Sequence, residues 1–153
     1  MHRSRIGRRI MLGAIGLGFG VGCFTHAVDF WTFGFAPYAF GPAVLNLFWN
    51  MLVALDAAVI VLLLAGRVRP ALALGLAIMI GDVAANSYAW GALGLTNFAP
   101  PLVAQTGFLG YLIGSLPFLW PRGSPTKGYG RATDPDAAAR LPDAAGDGAR
   151  ALP

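Results

Sequence analysis

Apolar residues run along this chain in four long blocks, broken by short polar or aromatic segments, rather than alternating at strand or surface-helix intervals. The blocks cover 10–27, 42–65, 70–95 and 101–120. A bilayer core about 30 Å thick needs about 20 consecutive apolar residues in a helix, so each block is long enough to predict a transmembrane helix. Pro42, Pro70 and Pro101 open the last three blocks. Proline suits a first helical turn, where its missing N–H would be unpaired anyway. The pattern predicts an all-α integral membrane four-helix bundle. Residues 121–153 break it: they are rich in Pro, Gly, Ala, Asp and Arg, with Leu141 and Leu152 the only large aliphatic residues. Such a segment buries too little apolar surface to offset its ordering entropy and reads as a disordered tail.

Charge adds direction to this picture. The 153-residue chain is 56% hydrophobic and only 12% charged, about half the charge of an ordinary soluble domain. Arg3, Arg5, Arg8 and Arg9 precede the first block, Arg67 and Arg69 separate the second from the third, and Arg122, Lys127 and Arg131 follow the fourth. The loops 28–41 and 96–100 hold no Lys or Arg. Basic residues collect on the cytoplasmic side of a membrane, which predicts an inner-membrane protein with a basic cytoplasmic stretch 1–9 and both termini inside. A net charge of +4 with flanking arginines is membrane topology rather than a basic face, so nucleic acid is excluded as a partner and the lipid bilayer is the expected one. Ten Arg against one Lys, with frequent Ala and Gly, suggests a bacterial source. Arg8-Arg9 and Gly20-Val21-Gly22-Cys23 make poor twin-arginine and lipoprotein signals, because no soluble domain follows for export.

Two local patterns bear on packing. The loop 28–41 carries Phe30, Trp31, Phe33, Phe35, Tyr38 and Phe40. It is expected to lie at the headgroup level and to cover the outer end of the bundle. In the first block, Gly16 with Gly20 and Gly18 with Gly22 form small-xxx-small pairs, which permit close helix approach within the bundle or, alternatively, a homo-oligomer contact.

The candidate chemistry lies in polar residues that lipid would not tolerate. Asp56 and Asp82 fall near the middle of their blocks, and Asp29 lies three residues after His26 at the end of the first. A charge at the bilayer centre costs at least about 2.5 kcal/mol, and no Lys or Arg lies within the blocks to pair with these acids. They must be protonated, hydrogen-bonded, hydrated in a cavity, or partnered by a cation. At 100° per residue, Asn46, Trp49, Asn50 and Asp56 share one arc of the second helix, Asp82, Asn86 and Trp90 one arc of the third, and Gln105, Phe108, Tyr111 and Ser115 one arc of the fourth. With His26 and Asp29 they place a polar, aromatic-lined pocket in the outer half, closed toward the cytoplasm by almost purely apolar inner halves. The plainer alternative is that these side chains only tie helices together by hydrogen bonds. No hydrolase, zincin or phosphate-loop motif is present. With two histidines and one cysteine, no metal site is assigned and no cofactor is implied.

His26 and Asp29, Asp56, Asp82 with Asn86, and the run Tyr111 to Pro117 together resemble the emopamil-binding-protein-like membrane proteins, which include sterol isomerases and the sigma-2 receptor. The resemblance covers roughly residues 10–120 and departs from the family in using Asp throughout and in a shortened first outer segment. It implies an intramembrane cavity for a hydrophobic, often cationic, small molecule. Three functions stay open: binding or isomerising such a molecule, a proton- or cation-linked transport subunit that self-associates, and a structural or accessory membrane protein.

Overall fold

The computed structural model describes residues 2–120, with side chains from Arg5 onward; the proposed tail, 121–153, lies outside the described residues. Four helices make up the fold: α1 His2–Phe33, α2 Ala43–Leu64, α3 Val68–Gly91 and α4 Ala99–Leu119, with a 3₁₀ turn at Thr96–Phe98 before α4. Among the described residues there are no strands. Consecutive helices pack against one another, and α1 also meets α4, which closes the bundle.

All four helices are long and apolar enough to cross a membrane. Their outward faces show the same character: Leu64 is 84% exposed, Val44 77% and Val103 74%. A bundle in water would carry polar residues there.

Helix ends follow local chemistry. α2 stops in a Schellman motif: Arg67 N–H donates to Leu62 O at 2.8 Å and Gly66 N–H to Leu63 O at 3.0 Å. Gly66 has φ +71°, a conformation that costs a residue with a Cβ about 1 kcal/mol or more. α1 departs most from the sequence reading of 10–27. It begins at His2 and continues through Phe33, because neither Pro nor a left-handed glycine interrupts it before Gly34, where φ reaches +76°. Residues 28–33 of the aromatic loop are therefore helix. Pro70, Pro100 and Pro101 fall within the first turns of α3 and α4, and Pro42 stands just before α2.

The core sits toward the end of the bundle that holds the α2–α3 turn. Ile15, Val59, Ala71, Leu72, Leu112 and Leu119 are buried there. Phe19 occupies the centre, edge-on to Phe108 with ring centroids 5.3 Å apart. It lies over Gly75, where an added Cβ would come within 2.8 Å of the Phe19 ring. The opposite end is held by rings instead. Trp49 stacks on Phe98 at 5.1 Å, Tyr38 packs on Trp49 at 5.6 Å, and Phe40 touches Tyr38, Trp49 and Phe98.

The glycines of α1 serve side chains more than helix backbones. Gly18 faces the Phe108 ring and Gly22 the Asp56 carboxylate, each so close that no Cβ would fit. Gly20 has open space around it, and Gly16 meets only Leu63 at 3.7 Å.

Candidate functional site

Between the aromatic end and the apolar core lies a cavity of about 1140 Å³ walled by all four helices, the 34–42 loop and the 3₁₀ turn. Its floor is Phe19, Met79 and Tyr111, and its roof is Tyr38, Phe40, Trp49 and Phe98. One side follows the seam between α1 and α4. Phe108 on Gly18, and the Tyr111 hydroxyl on Met11 O at 3.4 Å, close that seam near the floor. Toward the loops the seam is lined by Val21, Thr25, Pro101 and Ala104, which are exposed while still facing the cavity. The site therefore opens laterally and toward the loop end.

Three carboxyl groups line this one cavity, and among the described residues no Lys or Arg does. Asp82 is 6% exposed; its Oδ1 accepts from Asn86 Nδ2 at 3.3 Å. The same Asn86 Nδ2 donates to Gln105 Oε1 at 2.6 Å, and Asn86 Oδ1 accepts from Trp49 Nε1 at 2.9 Å. The amide of Asn86 thus links α2, α3 and α4. Asp56 differs. It is 5% exposed, lies against Gly22, and accepts no hydrogen bond among the described residues. Among the described residues the buried side-chain polar atom without a partner is Asn50 Oδ1; the Asp56 oxygens are instead open to the cavity, where a donor from its contents can meet them.

At the loop end, Asp29 Oδ2 accepts from the Tyr38 hydroxyl at 2.5 Å, and the Tyr38 oxygen lies 2.8 Å from His26 Nδ1. Tyr38 has one proton and gives it to Asp29. His26 then donates from Nδ1, and in the neutral imidazole Nε2 is left as an acceptor. Burial, and after it the hydrogen bond to Asp29, push the Tyr38 phenol well above the ordinary tyrosine range.

Of the residues selected from sequence, His26, Asp29, Trp49, Asp56, Asp82, Asn86, Gln105 and Tyr111 line the cavity. Asn46, Asn50 and Trp90 lie outside it. Asn50 Nδ2 donates to Asn46 Oδ1 at 3.2 Å along α2, and Trp90 is 50% exposed at the end of α3. The buried stripe of α2 is Trp49, Leu52, Asp56 and Val59, and the two asparagines fall to one side of it. Gly22 and Met79 were not selected as site residues; a glycine opposite a mid-helix acid on another helix leaves no pattern within one helix. Tyr38 was visible only as one of six loop aromatics, and nothing along the chain separates it from Phe35, which is 95% exposed. Among the described residues no group of three metal-ligating side chains forms. Compared with known proteins, the chain matches no family model, no curated protein and no solved structure.

Proposed function

We propose that this is a multi-pass protein of the cell membrane, with both termini cytoplasmic, whose bundle binds a hydrophobic cationic small molecule in the polar cavity. The observation that carries the reading is Asp56: a carboxyl with no donor among the described residues, facing a cavity that holds two further acids and, among the described residues, no Lys or Arg. With α2 and α3 across a bilayer, Asp56 and Asp82 lie at mid-depth, where acidic groups mark ligand or ion sites. The aromatic roof suits an ammonium group, because ring faces attract cations. The resemblance to emopamil-binding-protein-like proteins implies the same class of ligand. If the bound molecule is also isomerised, His26 Nε2 and the acids are the groups able to move protons.

The test is a calorimetric titration of a long-chain tertiary amine into the full chain in zwitterionic-lipid nanodiscs. Asp56→Asn is expected to weaken binding by tenfold or more, the scale of one charge-assisted interaction. An uncharged analogue of the amine should bind weakly. Equal affinity for amine and analogue, or an affinity untouched by neutralising both Asp56 and Asp82, removes the proposal and favours a structural role for the polar residues.

A further inference from the structure

The cavity holds acidic groups at two levels, and their separation constrains the ligand. Gly22 and Asp29 are seven residues apart on α1, so they share a face of the helix and stand about 10 Å apart along its axis. The Asp56 carboxyl rests against Gly22, so it marks the lower level and Asp29 the upper one. Both face the same continuous space.

Between the levels nearly every polar group is already used. Thr25 Oγ1 donates back to Gly22 O at 2.8 Å. Trp49, Asn86 and Gln105 are bonded to one another. Val21, Ala104 and Phe108 supply the rest of the wall. Apart from Asp82, whose Oδ1 accepts from Asn86 and whose Oδ2 is open, the open carboxyl acceptors of the wall lie at the two ends. The lower end has both oxygens of Asp56, 95% buried by its 5% exposure. The upper end has Asp29 Oδ1, since Oδ2 is taken by Tyr38.

We infer that the ligand of this cavity is a dication: two ammonium groups about 10 Å apart, joined by an apolar spacer, one held by Asp56 and the other by Asp29. This rests on the proposed reading of the cavity as a site for a hydrophobic cation. A single ammonium would leave one of the two levels unpartnered.

Three amines of matched length separate the two ideas: 1,8-diaminooctane, 8-amino-1-octanol and octylamine, titrated by calorimetry into the full chain in zwitterionic-lipid nanodiscs. The diamine carries more charge and is less apolar than octylamine, so a merely greasy or singly acidic pocket favours octylamine. The expected result is the reverse, with the diamine bound about tenfold or more tighter than either monoamine. Asp29→Asn should reduce the diamine to the level of 8-amino-1-octanol, whereas Asp29→Glu should retain the preference. The wild-type comparison stands by itself if Asp29→Asn does not fold. Octylamine bound as tightly as the diamine, with Asp56→Asn still weakening both, overturns the dication and leaves the cation reading intact. If no amine binds in an Asp56-dependent way, both fall together.

Discussion

At Gly22 a single hydrogen atom separates the α1 backbone from the Asp56 carboxylate, and that closeness sets the depth of the cavity. Gly22→Ala must push Asp56 aside or part α1 from α2. It is expected to destabilise the fold by about 1–3 kcal/mol, the usual cost of overpacking, and to weaken amine binding. Gly20→Ala, two residues away with nothing near its missing Cβ, should be neutral or slightly stabilising, because Ala is the better helix former. Thermal unfolding of both variants in one detergent checks the contrast. The three acids were legible from sequence because charge in an apolar run is conspicuous, whereas Gly22 read only as part of a packing motif. Tyr38 supports a second prediction. Its phenol titrates above its ordinary value of 10.0, through burial and the bond to Asp29. A raised value favours the protonated form in the fold, so this contribution is fully present below about pH 10 and is lost as pH rises through the folded value. The stability advantage of wild type over Tyr38→Phe should hold at neutral pH and shrink above about pH 10, as read from unfolding midpoints across an alkaline series.

Helices were readable as elements because apolar runs of this length admit little else; their limits and facing were not. An arc on a helical wheel fixes which residues share a face, but the direction of that face is decided by the neighbours. Trp49 and Asp56 turn inward with Leu52 and Val59, while Asn46 and Asn50, on the same predicted arc, turn aside. The α1 terminus was misplaced for a related reason. His26 and Asp29 read as the edge of a loop, yet they continue the cavity face of a helix that ends only at Phe33. The strongest tie among elements is Asn86, whose amide satisfies the Trp49 N–H of α2 and Gln105 of α4 at once. Asn86→Ala removes the partners of both. In a bilayer, interhelical hydrogen bonds average about 0.6 kcal/mol each, and a stranded buried donor costs about 1–3 kcal/mol. The expected loss is about 1–3 kcal/mol, with Trp49 fluorescence shifting as its indole loses an acceptor. A variant whose midpoint and emission match wild type would show that the network does not tie the helices together.

On the scale of the whole molecule, the charges of the described chain divide between its two ends. Arg8, Arg67 and Arg69 border one small surface hollow, so the start of α1 and the α2–α3 turn lie at the same end of the bundle. The 34–42 loop and the 3₁₀ turn at the other end contain no Lys or Arg. If basic residues stay in the cytoplasm, the cavity, which opens toward the loops, faces away from it. A ligand then enters from outside or from the outer leaflet, and the apolar core formed by Ile15, Val59 and Leu72 bars passage inward. This is checked with cysteine labelling in a Cys23→Ala background. Ala36→Cys, in the exposed 34–42 loop, is expected to react with a membrane-impermeant maleimide on intact cells. Ala65→Cys, exposed at the end of α2 beside Arg67, is expected to react only after permeabilisation. The opposite pattern would invert the protein and turn the site toward a cytoplasmic ligand. Labelling of both positions on intact cells would contradict a single orientation, and the seam between α1 and α4 would then have no defined side from which to fill.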